Sequence, residues 1–223
     1  MKRVVINVAE GRWYPRGQKR LAEAVAECSP GVDFLGFEGY PPESPTHQEV
    51  PYAFKTYAVF EAIRRGYNSI LWLDASAWPI KDLAPLFETI EAQGSVHMRS
   101  GWGFGQWASD AALKVLQLQR DDVMDRTLVQ GGLFGVCPAH ESARNFLEWL
   151  TTLAEDGRVF RGPWKNGGGE ASADPRCLGH RHDMVAMSHI VHELQLPVFN
   201  PPRFWSVWTE TPHVDALVLA RGM

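Results

Sequence analysis

The stretch Tyr67-Asn68-Ser69-Ile70-Leu71-Trp72-Leu73-Asp74-Ala75-Ser76 decides how this chain is read. From Ser69 to Leu73 it has the length and apolar content of a buried strand, bounded by Gly66 and Asn68 on one side and Asp74 on the other. Asp74 then stands at the carboxyl end of a strand. Open α/β sheets bind their ligands at that end, so Asp74 is a candidate for holding a metal or a polar substrate group. The other reading of the same residue is a cap for the turn before the next helix.

Working outward, residues 4–8 and 32–37 read as strands, with a loop over 11–17 and a helix over 18–27 between them. A Pro-rich connection over 40–51 leads to a helix over 52–65, in which Tyr52, Val59, Phe60 and Ile63 recur at helical spacing before Gly66. After the central strand, Asp82 can cap a helix carrying Leu83, Leu86, Phe87 and Ile90, which Gly94 ends. Strands and helices alternate, so residues 1–100 read as a Rossmann-like half with a mostly parallel, mixed sheet flanked by helices. Residues 101–223 are less regular. A short strand over 96–99 precedes a Gly- and Trp-rich loop over 100–108, a helix capped by Ser109 and running to about 119, and a strand over 131–136. Ala143, Phe146, Leu147, Leu150, Leu153 and Ala154 then form one apolar helical stripe. Residues 157–179 form a long irregular segment. The last helix starts near Asp183, with Met184, Met187, Val191 and Leu194 on its buried face, His189 and His192 on its outer face, and Pro197 at its end.

The 223 residues suit a single α/β domain. A net charge of −4, from 26 acidic and 22 basic side chains with no long basic run, argues against a nucleic-acid partner and for small molecules or neutral polymers. Cys28, Cys137 and Cys177 fit neither a disulfide framework nor the paired spacing of a zinc site, which points to a reducing compartment. No apolar stretch approaches the roughly 20 residues that span a bilayer, and the expectation is a soluble, cytoplasmic protein. Trp13, Tyr14, Trp102, Trp107, Trp164, Trp205 and Trp208 fall in segments read as loops, where aromatic faces can stack on bases or sugars or can simply roof the core.

Four clusters carry candidate chemistry. Asp74-Ala75-Ser76 is the first. Lys55, on the helix before that strand, can reach a phosphate as a point charge. The 11–17 loop offers Arg12 and Arg16 for phosphate with Trp13 and Tyr14 for stacking, although it matches neither the Gly-x-Gly-x-x-Gly nor the Walker pattern. Gly179-His180-Arg181-His182-Asp183 packs two imidazoles, a guanidinium and a carboxylate at a helix amino terminus, a place that favours anions; the competing reading makes Asp183 an N-cap.

Together, Pro51-Tyr52-Ala53-Phe54-Lys55, Leu71-Trp72-Leu73-Asp74-Ala75-Ser76 and His180-Arg181-His182-Asp183 resemble motifs of GT-A-type glycosyltransferases, in particular uncharacterised GT-A-like proteins of bacteria and large DNA viruses. The resemblance implies one GT-A-like α/β domain, with residues 1–100 binding a nucleoside-diphosphate sugar such as a UDP-sugar and 101–223 serving acceptor and catalysis in glycan biosynthesis. Arg12, Trp13, Tyr14, Lys55, Asp74, Ser76 and Arg221 are then the donor-binding candidates. Asp74 also stands as the candidate ligand of a divalent ion, Mn²⁺ or Mg²⁺, expected to bind weakly and only with nucleotide, because Ser76 replaces the second carboxylate of Asp-x-Asp. Asp183 and His182 are the catalytic candidates, and Trp102, Trp107, Asp110 and His180 those for a carbohydrate or glycoconjugate acceptor. Met184 replaces the expected amide or carboxylate beside Asp183, and Arg221 stands in the closing Val218-Leu219-Ala220-Arg221-Gly222 segment where related enzymes place a metal-binding histidine. The stereochemistry of transfer stays open, as do two alternatives: a sugar-nucleotide-binding protein without catalysis, and a sugar nucleotidyltransferase.

Overall fold

The computed structural model describes residues 1–201, 203–207 and 211–221. Its central sheet has six strands in the order β2-β1-β3-β6-β5-β7: β1 (Arg3–Ala9), β2 (Asp33–Glu38), β3 (Ser69–Leu73), β5 (Ser95–Gly103), β6 (Thr127–Val136) and β7 (Val198–Phe199). The β1–β2, β1–β3 and β5–β7 pairs are parallel, while β6 runs antiparallel to both of its neighbours. Five of the six strands therefore share one direction. A second sheet, β4 (Ala77–Pro79), β9 (Val218–Ala220) and β8 (Trp205–Val207), closes one end.

Because strand side chains alternate, the central strands feed two cores. Val4, Ile6, Ile70, Trp72 and Phe134 face α2 (Phe54–Arg64), α6 (Glu141–Asp156) and α7 (His182–Glu193). Val5, Leu71, Leu73 and Leu133 face α1 (Tyr14–Cys28), α3 (Ala84–Gln93) and the small sheet. Every side chain of β3 is buried, as the apolar run required.

Several local expectations are corrected. The 11–17 segment is a loop only to Trp13: α1 starts at Tyr14, with Pro15 in its first turn, where a missing N–H costs nothing. Residues 100–103 continue β5 instead of leaving the sheet. Ser109 caps α4 (Asp110–Val115) by accepting a hydrogen bond from Ala112 N, but that helix ends well before 119, and Arg120–Val123 forms a separate turn of helix, α5. Of the aromatics expected in loops, Tyr14 opens α1, Trp102 lies in β5, and Trp205 is buried in β8; Trp208 lies outside the described residues, as does Gly222 of the closing segment. His189 is buried and packs edge-on to Trp149, and half-buried His192 stands 2.7 Å from the Thr127 carbonyl, so neither is the solvated residue expected.

Candidate functional site

The chain leaves β1 for β2 on one side and for β3 on the other, which makes the gap beyond the carboxyl ends of β1 and β3 the point where the winding reverses. A cavity of about 360 Å³ opens there. Its walls include Glu10 after β1, Tyr14 at the head of α1, Tyr40 and His47 from the 40–51 connection, and Asp74 to Ser76 after β3.

Asp74 is fixed at the floor. Its N–H donates to the Gly132 carbonyl at 3.0 Å, its carbonyl accepts from Ala77 N at 2.8 Å, and Trp72 Nε1 donates to its Oδ1 at 2.8 Å. Lys55, from the first turn of α2, is buried beside it. The ammonium donates to the Gly131 carbonyl and to Asp183 Oδ2, both at 2.7 Å, and stands 3.2 Å from Asp74 Oδ1. Burial opposes the Lys55 charge, yet the carboxylates of Asp183 and Asp74 outweigh it and raise the pKa. The geometry depends on two glycines of β6. A Cβ on Gly131 would stand 2.5 Å from Asp183 Oδ2, and one on Gly132 would stand 3.0 Å from the Trp205 ring and 3.4 Å from Asp74 Oδ2.

The expected donor residues are only partly brought together. Tyr14, Lys55, Asp74 and Ser76 line the cavity. Lys55 differs from the expected phosphate ligand, because its three N–H groups already face three acceptors within the protein. β9 brings Arg221 alongside: its N–H donates to the Ser76 carbonyl at 3.0 Å. Arg20, not anticipated, lies over Trp78 at 3.9 Å and donates to the Ala75 carbonyl at 3.3 Å. Burial lowers its pKa, and the Arg221 charge lowers it further, so this rim is electropositive. Trp13 is exposed and flanked by Arg12 and Arg16 at 5.0 and 5.7 Å, bordering an adjacent hollow instead of the cavity itself.

The expected catalytic pair sits one layer back. Asp183 is buried behind Lys55 and does not line the cavity. It is not an N-cap either: Arg181 holds that position on α7, and the Asp183 carboxylate turns to Lys55. His182 Nδ1 lies 2.8 Å from the Phe160 carbonyl, and its ring packs on Tyr52 and Trp164. Burial lowers the His182 pKa, and a positive φ of 34° marks the tight entry into the helix.

The expected acceptor residues gather beyond His182. His180 is fully buried, its Nδ1 accepts from Ser109 N at 3.3 Å, and burial holds its pKa down to about 3, so the ring is neutral. Trp102 and Trp107 pack at 4.9 Å. Asp110 accepts from Arg120 Nη2 at 2.5 Å while its side chain stays mostly exposed. Residues that sequence reasoning missed are Glu10, Tyr40, His47, Tyr52 and Phe54 in the cavity wall and Arg20 outside it, while Arg181, singled out in the 179–183 cluster, also lies outside the cavity.

The donor set at the cavity floor does not suit a resident divalent cation. Among the described residues no three His, Cys, Asp or Glu side chains are placed to share an ion. Asp74 Oδ1 is already taken by Trp72 and Lys55, Ser76 contributes only a hydroxyl, and the Lys55 ammonium would repel a neighbouring cation.

No protein-family model and no curated protein sequence matches the chain. Solved structures do. A glycosyltransferase involved in glycosylation of the major capsid of PBCV-1 aligns with 98% of this chain and 93% of its own at 15% identity and a TM-score of 0.52. Mouse xyloside xylosyltransferase 1 aligns with 98% of this chain and 96% of its own at 8% identity and a TM-score of 0.54. The bifunctional glycosyltransferase WbbM matches 92% of this chain at 12% identity and a TM-score of 0.52, and this chain spans 40% of its length. The mixed sheet flanked by helices is thus the fold of these glycosyltransferases, as the sequence motifs implied.

Proposed function

We propose that the protein is a glycosyltransferase that moves a sugar from a nucleoside-diphosphate sugar to a carbohydrate or glycoconjugate acceptor. The observation that carries this is the cavity at the winding reversal between β1 and β3, with the Asp74 carboxylate fixed at its floor and an electropositive rim of Arg20 and Arg221. Tyr14 and Tyr40 offer ring faces for the base. Glu10 suits the ribose hydroxyls, because a carboxylate accepts their hydrogen bonds but repels phosphate. Asp74 Oδ2 does the same for ribose or sugar hydroxyls.

Departure of the diphosphate builds negative charge, and Arg221 and Arg20 stabilise it from the rim. Lys55 is a positioning residue in this scheme: it holds the Asp74 carboxylate in place, and Asp183 holds Lys55 in turn. Residues 1–100 supply the donor side. The acceptor enters over His182, from residues 101–223.

Asp74→Asn tests the assignment. The variant should keep the parent's circular dichroism and lose at least 90% of nucleoside-diphosphate release from UDP- and GDP-sugars offered with a mixed-saccharide acceptor. Thermal shift by UDP without any release in the parent would favour a binding protein that lacks catalysis. Equal turnover in parent and variant would remove Asp74 from the site.

A further inference from the structure

Arg181, at the N-cap of α7, is a buried guanidinium without a counter-ion among the described residues. Its central carbon lies 3.6 Å from the Trp107 ring centroid and 3.8 Å from that of Trp164, with Trp102 at 5.3 Å. Among the described residues its guanidinium makes one hydrogen bond, from Nη1 to the Trp164 carbonyl at 2.8 Å, Nε is enclosed with no partner, and no carboxylate lies within 4.0 Å. The other buried arginine behaves differently: Arg120 has Asp110 at 2.5 Å, Asp174 at 4.0 Å and the Gly105 carbonyl. Folding therefore neutralises one buried guanidinium and leaves the other charged and unpaired. Burial lowers the Arg181 pKa to about 10, which still leaves it protonated at neutral pH. The amino end of α7 adds positive potential at the same place.

The surroundings are those of a saccharide subsite. Trp102 is 44% and Trp164 49% exposed, an unusual degree for indoles packed beside a buried cation. Half-exposed indole faces suit the C–H face of a pyranose, and a guanidinium binds carboxylate or phosphate through paired N–H groups. The subsite also communicates with the cavity. The Trp164 ring packs on His182 at 5.7 Å, and His182 packs on Tyr52 at 5.5 Å, the cavity wall next to Asp74.

We infer that Arg181, between Trp107 and Trp164, is the recognition site for an acidic group on the acceptor, so that the acceptor is an anionic saccharide stacked on the exposed indoles. This rests on the transferase reading for the word acceptor, but the binding claim stands by itself. Two sources share the chemistry, a hexuronic acid and a sugar phosphate.

Tryptophan fluorescence titrations with methyl β-glucuronide, glucose 6-phosphate and methyl β-glucoside, in low and high salt, test it. The acidic probe of the right class should bind at least 10-fold tighter than the neutral glucoside, and the stronger of the two acidic probes identifies the source. In Arg181→Gln, checked for native near-ultraviolet dichroism, that ratio should fall to about one. If Arg181→Gln does not fold, Trp164→Ala serves instead, since its ring is half exposed, and it should weaken the acidic probe by 10-fold or more. Equal affinity for acidic and neutral sugars in the parent overturns the inference, as does a preference that survives in the folded variant. Nucleoside-diphosphate release separates the two claims: release onto neutral acceptors alone sinks this inference and keeps the transferase. Glucuronide binding with no release under any condition does the reverse.

Discussion

Replacing Lys55 by methionine keeps the length of the side chain and removes its charge, which leaves Asp183 and Asp74 facing each other's neighbourhood without the cation that joins them. The Asp183 side chain is 9% exposed and that of Asp74 35%, so water can re-solvate the second far better than the first. Removing one partner of a buried pair costs about 3–5 kcal/mol, because the stranded charge stays desolvated. The expected loss in urea unfolding at pH 7 is of that size, and most of it belongs to Asp183. Adding Asp183→Asn to Lys55→Met should restore more than half of the loss, since a neutral amide needs no counter-ion. The pH dependence carries an independent check. In the parent the Lys55 pKa is raised above 10.5, so its stabilisation is complete below that value and fades only as the pH rises through the raised one. Across pH 5–9 the parent gains and loses nothing through Lys55. In the single variant the stranded carboxylate can be neutralised by a proton, so its deficit should shrink as the pH falls from 7 towards 4.5. A deficit below about 1 kcal/mol, or a double variant no more stable than the single one, would refute the claim that the three groups form one buried unit.

Two further substitutions probe its surroundings. Gly131→Ala should push Asp183 off Lys55 and lower stability by about 1–3 kcal/mol, as overpacking does, read by thermal unfolding together with a fall in turnover; an unchanged melting temperature would mean that the strand has room to spare. His97 is fully buried in β5 against Phe146 with neither ring nitrogen bonded among the described residues, and burial pushes its pKa down to about 3. Its folded value lies below the ordinary 6.5, so the unfolded chain takes up the proton first and stability falls between pH 6.5 and 3. At pH 5 this single group accounts for a loss of about 2 kcal/mol relative to neutral pH. His97→Leu should remove that share of the acid sensitivity in urea titrations at pH 7 and 5, and an identical pH slope would show that the ring finds a partner on folding.

Where an element announces itself by a pattern, the sequence reading and the structure coincide. The bounds of β3 are the same in both, because a run of apolar residues stopped by Gly66, Asn68 and Asp74 leaves no other register. The stripe of α6 is read as readily, since its apolar positions repeat with the helical period. The small sheet was only partly visible: three-residue strands such as β4 and β8 are too short to show a period, and β9 was noticed only through the family resemblance. Nor does alternation say which way a strand runs, so the reversal of β6 had no signature.

The cluster at the site was half legible, for a reason that lies in the chemistry. A carboxylate at the end of a buried strand stands out, whereas an ion pair between residues 55 and 183 leaves no mark in local sequence. By itself Lys55 reads as a helix lysine reaching for phosphate. Yet Lys55, Val59 and Ala62 are spaced i, i+4, i+7, and the last two lie on the core face of α2. A lysine on an apolar stripe must either release its proton or find anions inside the fold. The Gly131-Gly132 pair supplies the other half of that signal, since glycines inside a strand mark the close approach of another group. Read together, a core-facing lysine and a side-chain-free strand segment require buried acceptors between them, and the acids near the strand end and the helix start, Asp74 and Asp183, are the natural candidates.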